Sequence, residues 1–584
     1  MEFKFPLGYK KIGKIDLAVL TKQYNEKNSQ GTIEYHPFHI EKLQNYNPIY
    51  NEFFELVQNN YDSIAFNHHF HFTDLNTVND SINNTNVTKE SFIKFSPLLD
   101  PVRFLTGKYF KKGEEIPNFK EFPSINKKSF PKLDSIHNAS YVDNFFCYLS
   151  SQLLNKYNFV NGIDYYGSFL GTQEKFKINI SDDYDYLNQS DFFLKNIHKM
   201  YEMDMYEDPF SNFGSRCNKN KLNIHNDSEM SIISIEDLGE SNERTENYQE
   251  EQKELLYEKN NENVDSEEDS SEESGEDSSE EESGEDSSEE SGEESGEESG
   301  EEESGEESGE EESGEEESGE ESGEEYSSSD ENSFFAYIKE FPVQMICLEK
   351  CKGTIDELFS RGLMDEINSA SALFQIIMTL IKYQKLFHFT HNDLHTNNIV
   401  YNETDTEYLY YKYNKKVYKV PTYGKIFKII DFGRAIYKLN GKIFCSDSFD
   451  VCGDAHTQYN CAPFFNENKP RLEPNYSFDL CRLGCSIYDF ILDEVMEENK
   501  DIDDLQRVII RWCSDDNGKN VLYKKNGEDR YPDFKLYKMI ARSVNKHLPS
   551  SQLDDPYFNQ FLYEKNITHE IENIMDIDNL PCFV

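Results

Sequence analysis

Two short runs of residues carry the side chains that could do chemistry. Residues 391–398 read His-Asn-Asp-Leu-His-Thr-Asn-Asn, and residues 431–433 read Asp-Phe-Gly. Asp393 is of a type that can accept a proton from a hydroxyl group, while Asn398 and Asp431 carry the oxygen ligands that magnesium prefers. Phosphoryl transfer needs such a set, because positioning and charge neutralisation supply most of its catalysis. The two runs, in this order, therefore predict a phosphoryl-transfer site.

The elements that must position these runs follow from the spacing of apolar residues. We predict helices over residues 41–56, 141–154, 367–389 and 478–493, with further helices between 503 and 561. We predict strands over residues 63–72, 90–95, 162–170, 341–348 and 425–430, and a hairpin over 408–420. The first chemical run then follows a long helix directly, and the second follows a strand.

Charge is distributed unevenly along the 584 residues, whose formal net charge is −54. Residues 265–325 contain 34 Asp and Glu in 61 residues and no Lys or Arg, which leaves about −20 for the rest. This segment repeats Ser-Gly-Glu-Glu and has almost nothing to bury, so we predict that it is disordered. An acidic chain repels phosphate backbones and anionic lipid, so we expect neither nucleic acid nor a membrane as a main partner.

Cysteine usage bears on the compartment. The chain has 11 cysteines, an odd number, and residues 1–4 do not begin a recognisable secretory signal. Free thiols in a reducing, intracellular compartment are the expectation. Four residues have spacings that could ligate zinc, with reduced thiols as the alternative. These are Cys445, Cys452, His456 and Cys461.

The two chemical runs resemble those of the protein-kinase superfamily, and the chain as a whole resembles divergent kinases encoded by giant DNA viruses. The resemblance covers roughly residues 60–172 and 336–560. It implies an α+β, bilobal protein-kinase-like fold, with a small β-rich N-lobe and a helical C-lobe, interrupted by the long disordered acidic insertion. For a viral protein it also implies a location in the host cytoplasm or the virion.

The resemblance divides the chain into four parts. Residues 1–60 form an N-terminal extension, residues 61–172 and 336–352 the N-lobe, residues 173–335 the insertion, and residues 353–584 the C-lobe. The insertion separates two strands that a short turn normally joins. A long insertion is tolerable there because the entropy of closing a loop grows only logarithmically with its length.

In the C-lobe the resemblance implies a role for each chemical residue. Asp393 is similar to the catalytic aspartate that receives the substrate hydroxyl proton. Asn398 and Asp431 resemble the two magnesium ligands, so ATP and Mg²⁺ are the implied cofactors. Asp479 opens a run that resembles the start of a buried helix, where an aspartate supports the catalytic loop.

In the N-lobe, residues 91–94 read Ser-Phe-Ile-Lys and resemble the Val-Ala-Ile-Lys strand. This resemblance implies that Lys94 pairs with the α- and β-phosphates of ATP. A carboxylate partner would come from the predicted helix over 141–154, whose only acid, Asp143, lies about two turns early. The residues that would surround adenine are Leu348, at the pocket border, and Glu349 and Cys351, through their backbone groups.

Three departures from the family pattern carry expectations of their own. No Gly-x-Gly-x-x-Gly precedes Lys94, and residues 64–70 occupy its place, which predicts weaker or differently shaped ATP binding. His395 stands where kinases carry a lysine or an arginine, and a neutral imidazole would stabilise the transferred phosphoryl group less. Asn392 replaces the arginine that grips a phosphorylated activation loop, so activity should not require that phosphorylation.

Three functions remain open from the sequence. The first is a serine/threonine-protein kinase acting on protein substrates. The second is a pseudokinase scaffold whose acidic insertion recruits basic protein partners, and the third is a small-molecule phosphotransferase. The complete set of Asp393, Asn398 and Asp431 favours catalysis. The Ala-Pro pair at 462–463 and Asp479 resemble protein kinases and favour a protein substrate.

Overall fold

The structure is a computed structural model that describes most of the chain. The described residues are 4–25, 35–110, 117–125, 127–206, 333–492, 502–563 and 573–584. The chain divides into two units, one formed by Met1–Asn218 with Ser327–Val584 and the other by Lys219–Tyr326. The predicted disordered repeat at 265–325 lies outside the described residues. All elements below belong to the first unit.

Up to residue 349 the described part of the chain is rich in strands. The strands are β1 Tyr9–Lys11, β2 Ile40–Gln44, β3 Ile64–Phe66, β4 Phe70–Asp74, β5 Thr77–Asp80, β6 Thr85–Thr88, β7 Ser91–Pro97, β8 Tyr165–Asn179, β9 Tyr201–Tyr206 and β10 Ser333–Glu349. The helices are α1 Leu17–Asn25, α2 Pro101–Leu105, α3 Pro131–Asp134, α4 Ala139–Tyr157, α5 Tyr184–Asn188 and α6 Asp191–Asn196. Together they give the first part of the unit a mixed α+β character.

A five-stranded antiparallel sheet organises this part. Its order is β2-β8-β10-β7, and β9 pairs with the first residues of β10. In the register of β7 and β10, Lys94 lies opposite Ile346 and Phe92 lies opposite Leu348. The strand that carries Lys94 is therefore fixed beside the strand that ends at residues 348–349.

Residues before 60 take part in two sheets, because β2 pairs with β8 in the five-stranded sheet and β1 forms a separate two-stranded sheet with β3. The helix predicted over 41–56 is wrong: the chain forms β2 and then a 3₁₀ turn at Pro48–Glu52. Lys42 has a left-handed φ of 54°, and Pro48 stands at the start of the turn, where its missing N–H costs nothing. Tyr46 and Tyr50 are buried all the same. A single 3₁₀ turn therefore accounts for the helix-like spacing of these two buried tyrosines.

Helix α4 confirms the helix predicted over 141–154. Its start is capped by Asn138, whose side chain accepts the Ser140 N–H at 3.0 Å. The helix is buried from residue 140 to residue 153, and it contributes Phe145 and Phe146 to the core. Burying one phenylalanine stabilises a fold by about 1.5–3 kcal/mol. Packing therefore fixes α4 firmly in place.

From residue 353 onwards helices predominate, with short strands between them. The helices are α7 Ile355–Ser360, α8 Glu366–Phe387, α9 Phe478–Ile491, α10 Asp504–Trp512, α11 Lys535–Ser543, α12 Pro549–Gln552 and α13 Pro556–Asn559. The strands are β11 Gly353–Thr354, β12 Ile399–Glu403, β13 Tyr408–Tyr413, β14 Lys416–Pro421, β15 Lys425–Ile429, β16 Ile436–Leu439, β17 Lys442–Cys445 and β18 Met575–Asp576. The helices predicted over 367–389 and 478–493 and the hairpin over 408–420 are confirmed.

Helix α8 is the long buried helix before the first chemical run. Asp365 caps its start by accepting the Asn368 N–H at 2.7 Å, and His388 ends it with a left-handed φ of 49°. Among the described residues, no helix combines the length and the apolar character that crossing a bilayer requires. The longest apolar run, residues 372–381, is instead packed inside α8.

The two parts of this unit share one core. Phe146 of α4 stacks on Phe389 with ring centroids 4.3 Å apart and contacts Phe432 at 4.6 Å. Asn161 donates to the Phe427 carbonyl at 3.0 Å and accepts the Tyr411 hydroxyl at 2.7 Å. Buried polar and aromatic contacts thus join the β-rich part to the helical part around the two chemical runs.

Candidate active site

Asp479 holds the backbone of the run at 391–398. It lies in the first turn of α9, is fully buried, and accepts the N–H groups of His391 at 2.9 Å and Asn392 at 2.8 Å. Burial raises the pKa of Asp479 above its ordinary value, and the hydrogen bonds oppose that rise. A hydrogen bond to a charged group contributes about 1.5–3 kcal/mol. The run is therefore anchored to α9 through its own backbone.

Asn392 bonds the loop to a later segment of the chain. It is fully buried with a left-handed φ of 64°, a conformation that asparagine tolerates better than most residues. Its amide donates to the Arg434 carbonyl at 2.9 Å, and its oxygen accepts the Tyr459 hydroxyl at 2.9 Å. The residue that stands in the place of a phosphate-gripping arginine thus ties the loop to the segment after residue 433.

His391 connects the two chemical runs. Its Nδ1 accepts the Asp393 N–H at 3.3 Å, and its Nε2 lies 2.9 Å from the Ile430 carbonyl oxygen. Because a carbonyl can only accept, Nε2 carries a proton and donates it to this oxygen. The imidazole therefore fixes the loop at 391–393 against the residue that precedes Asp431.

Asp393 presents one free carboxylate oxygen. Its Oδ1 accepts the Tyr537 hydroxyl at 2.7 Å and lies 3.7 Å from a guanidinium nitrogen of Arg434. In the part of the chain that the structure describes, no hydrogen bond reaches Oδ2. A carboxylate held at one oxygen and open at the other is suited to accept a proton from a hydroxyl group placed beside it.

The amide nitrogen of Asn398 is hydrogen-bonded, whereas no hydrogen bond among the described residues reaches its amide oxygen. The nitrogen donates to the Asp393 carbonyl at 2.9 Å and to His395 Nε2 at 3.1 Å. Both amide hydrogens are thereby used, so Oδ1 remains as a ligand. Burial lowers the pKa of His395 below its ordinary value, and its ring is the neutral acceptor of this bond.

Asp431 reaches the same place from the neighbouring strand. β12 pairs with β15 so that Ile399 faces Ile429, and the Ile430 N–H donates to the Asn398 carbonyl at 3.0 Å. Asp431 then follows with a left-handed φ of 62°. Its carboxylate and the Asn398 amide oxygen are hard donors at adjacent strand ends, which is the chemistry that suits Mg²⁺.

Lys94 lies between two acids. Its Nζ is 2.7 Å from Asp143 Oδ2 and 2.7 Å from Asp431 Oδ1. The other oxygen of Asp143 accepts the Phe432 N–H at 2.9 Å. The only acid of the helix predicted over 141–154 therefore does meet the lysine, although it lies early in that helix.

The Lys94 ammonium offsets the cost of burying Asp431 but not that of burying Asp143, whose pKa is raised by burial and by the nearby Asp431 carboxylate. Burial by itself would lower the pKa of Lys94, but the carboxylates of Asp143 and Asp431 outweigh it and raise that pKa above its ordinary value. Burial would likewise raise the pKa of Asp431, and the Lys94 ammonium holds it below its ordinary value instead. Lys94 and Asp431 are thus both charged at neutral pH.

The segment that would surround adenine lies at the end of β10. Leu348 is buried there, and the Glu349 N–H donates to the Asp164 carbonyl at 3.0 Å. The Glu349 carboxylate accepts the Asp164 N–H at 2.7 Å and the Asn402 amide at 2.8 Å, and it pairs with Lys428. Burial raises the pKa of the Cys351 thiol to about 12. This strand end is held rigidly beside β7.

The zinc site weighed from cysteine spacing is wrong. Over the described ranges, which include residues 445–461, no three His, Cys, Asp or Glu side chains lie together in a way that could hold a metal ion. Cys445 and Cys461 are buried, whereas Cys452 is exposed. The thiols are free, as the alternative interpretation stated.

Two residues in contact with Asp393 were not found from the sequence. Arg434 directly follows the Asp-Phe-Gly run, and that position was the one signal available for it. Tyr537 lies 144 residues beyond Asp393 on α11, in a segment with no recognisable motif. Only the folded chain brings its hydroxyl to the aspartate.

This site combines a lysine paired with two acids, an aspartate in a His-x-Asp-Leu loop and an Asp-Phe-Gly run. The combination is typical of protein kinases. The chain is related to the protein-kinase superfamily. No family model matches it. The relation therefore comes from individual relatives.

Three relatives are similar to part of the chain. Serine/threonine-protein kinase haspin of Bos taurus is 32% identical over 125 residues, which is 21% of this chain and 16% of that protein. Haspin of Mus musculus is 32% identical over 123 residues, with the same shares. A protein of Acanthamoeba polyphaga mimivirus whose name carries the words serine/threonine-protein kinase is 33% identical over 135 residues, 22% of this chain and 30% of that protein. The chain thus spans less than a third of the length of each relative.

Proposed function

We propose that the protein transfers the terminal phosphoryl group of ATP to serine or threonine hydroxyls of protein substrates. The observation that carries this proposal is the bridge from Lys94 to both Asp143 and Asp431 at 2.7 Å. Holding a half-buried lysine and two acids together costs desolvation energy unless the charges are paired. Here the bridge lies beside the loop of Asp393.

Asp393 is the proposed catalytic base. The substrate hydroxyl donates its proton to Oδ2 as its oxygen forms a bond to the γ-phosphorus, while the bond to the β–γ bridging oxygen breaks. Asp479 supports this step through the loop backbone, and His395, which is neutral and buried, orients Asn398. The tyrosine and arginine contacts at Oδ1 leave Oδ2 to face the hydroxyl.

Asn398 and Asp431 are the proposed magnesium ligands, and Lys94 the contact to the α- and β-phosphates. The donor set fits the ion, because an amide oxygen and a carboxylate are hard ligands whose other atoms are already bonded. Bound magnesium would neutralise charge on the ATP phosphates. Among the described residues no hydrogen bond reaches Asp431 Oδ2, which leaves it as the metal-facing oxygen.

The bilobal division is part of the same proposal. Residues 61–172 and 336–352 would form the N-lobe and residues 353–584 the C-lobe, with Leu348, Glu349 and Cys351 at the adenine between them. Residues 173–335 would be the insertion, although β8 continues to Asn179 and β9 returns the chain to the sheet at 201–206. The acidic repeat is proposed to recruit basic partners.

A protein substrate is favoured by two features. The names of the relatives describe serine/threonine-protein kinases, and the Ala-Pro pair at 462–463 together with Asp479 resembles that class. A small-molecule phosphotransferase shares the Asp-Leu-His string at 393–395 but not the Ala-Pro pair. The absence of a glycine-rich run before Lys94 is the feature that favours a scaffold without activity.

Incubating the full chain with labelled ATP, magnesium and basic or acidic generic protein substrates tests the proposal. We expect label on serine and threonine of the substrate, and none with the Asp393→Asn variant as matched control. Binding of ATP is followed separately by calorimetry. Binding without transfer above the control would leave the scaffold, and label on a small acceptor alone would indicate the third function.

A further inference from the structure

We infer that Tyr537 is a positioning residue for Asp393, holding Oδ1 so that Oδ2 faces the substrate hydroxyl. This inference rests on the proposed function. It concerns a residue of α11, far in sequence from the catalytic loop and outside every motif recognised in the chain. The contact is direct, with the Tyr537 oxygen 2.7 Å from Asp393 Oδ1.

The direction of each hydrogen bond is fixed by chemistry. Arg482 Nε lies 3.0 Å from the Tyr537 oxygen, and a guanidinium can only donate. The Tyr537 oxygen therefore accepts from Arg482, and its own proton must go to another acceptor. The acceptor within reach is Asp393 Oδ1, so the hydroxyl proton points at that oxygen. The result is a relay from arginine through tyrosine to the aspartate.

Tyr537 is built into the core and does not lie loosely over the site. Its ring packs on Phe534 with centroids 5.4 Å apart and on Phe478 at 6.0 Å. The guanidinium groups of Arg434 and Arg482 lie 5.5 and 5.2 Å from the ring centre, within the range of cation–π attraction. Burial raises the pKa of Tyr537 to about 12, which keeps the hydroxyl a donor. Removing this ring from the site would require unpacking α11.

Two residues of helix α9 act on the loop at 391–398. Asp479 and Arg482 are three residues apart, so they lie on the same face of the helix. Asp479 fixes the backbone of His391 and Asn392, and Arg482 fixes the carboxylate of Asp393 through Tyr537. Helix α9 thereby positions both the backbone of the loop and the carboxylate of Asp393.

Arg434 acts on the same oxygen as Tyr537. Its guanidinium is 3.7 Å from Oδ1 and also contacts Asp454 at 2.5 Å. With a hydroxyl and a cation at Oδ1, rotation of the carboxylate would break both contacts. Oδ2 is then the oxygen that remains available, and its orientation is set before a substrate binds.

The test is Tyr537→Phe, which removes the hydroxyl and keeps the ring. We expect kcat to fall by about 10- to 100-fold, the range for losing one hydrogen bond to a charged group, with KM for ATP unchanged. The matched control is Tyr411→Phe, which removes another buried hydroxyl, bonded to Asn161 at 2.7 Å and away from the loop. The control should lose a similar amount of thermal stability and keep the wild-type kcat.

Arg482→Met completes a double-mutant cycle with Tyr537→Phe. Because both changes break the same relay, we expect the double variant to be no slower than the slower single variant. Additive losses in kcat, a Tyr537→Phe variant at wild-type kcat, or an equal loss in Tyr411→Phe would each overturn the inference. Wild-type protein that transfers no more label than Asp393→Asn would overturn the proposed function, and this inference with it.

Discussion

The catalytic loop and the strand of Lys94 bring groups to one cluster in different ways. The loop at 391–398 is held through its backbone, by Asp479 from behind and by the side chains of His391 and Asn392 within it. Lys94 lies in β7 opposite Ile346 of β10, and the end of its side chain is held by two acids 49 and 337 residues further along the chain. Backbone anchoring demands particular residues at fixed spacing, whereas side-chain ends can meet from several registers.

This difference explains how an acid that lies early in α4 can still reach Lys94. An aspartate at position 143 reaches Lys94 because the packing of α4 sets the helix where a short side chain suffices. The ion pair therefore forms although Asp143 has a short side chain and lies early in the helix. Replacing Asp479 would instead leave two buried N–H groups of the loop without a partner.

The largest effect should come from the loop. Asp393→Asn removes the proton acceptor and keeps the Tyr537 contact, so we expect kcat to fall by about 10²- to 10⁴-fold, the usual share of a general base. ATP affinity should not change. Single-turnover transfer of label and calorimetric ATP binding measure the two quantities, and an active variant would remove Asp393 from its proposed role.

The next largest effect on activity is expected at Asp431, which contacts Lys94. Asp431→Asn removes a charge that both Lys94 and a bound cation would use, so we expect activity to fall by about 10²-fold and the magnesium requirement to rise. Titrating MgCl₂ at fixed ATP reports both, with EDTA as the control for complete loss. A magnesium dependence identical to that of the wild type would place the ion elsewhere.

A smaller effect is expected on the side of α4. Asp143→Asn keeps the bond to Phe432 and removes the charge beside Lys94, so KM for ATP should rise by about 10-fold. Asp143→Glu restores the charge but adds a methylene to a packed helix, which costs about 1–3 kcal/mol of stability. Thermal melts and ATP titrations of both variants sharpen the comparison. Glutamate outperforming aspartate in both assays would contradict the view that α4 is set for the shorter acid.

The smallest effect, none at all, is expected from the activation segment. Asn392 is buried and bonded to Tyr459 and Arg434, so it offers nothing to a phosphate. Treating purified protein with a broad-specificity phosphatase should leave kcat unchanged. Intact-mass measurement before and after verifies the treatment, and a loss of activity that follows phosphate removal would contradict the expectation.

Much of the fold could be predicted from the sequence where one element buries its own residues. Helices α4, α8 and α9 were found because their apolar residues recur at helical spacing. The sequence does not predict the ends of β8 and β10, because residues 171–179 are mostly polar and residues 333–340 contain an apolar run that does not alternate. Lys175 and Lys339 pair across these strands and both contact Glu202, at 2.9 and 3.0 Å. Because this ion cluster joins residues of three strands, the sequence of any one strand does not reveal it.

The site shows the same limit. Asp393, Asn398 and Asp431 carry their chemistry in local strings, so they could be proposed from the sequence. Asp143 was found only as the sole acid on its helix. Tyr537 and its partner Arg482 could not be found, because their link to Asp393 exists only through packing of α9 against α11. The sequence of each helix gives no sign of that contact.

The pairing of β9 with β10 has a consequence for what the chain can accept between them. Ser333 lies directly opposite Tyr206 in an antiparallel ladder, where paired Cα atoms are about 4.5–5.5 Å apart. Both ends of the intervening 126 residues therefore leave from one rung. A tight turn of two residues would be enough to connect Tyr206 to Ser333. An insertion of any length, or none, therefore fits between β9 and β10 without a change in the geometry of Lys94.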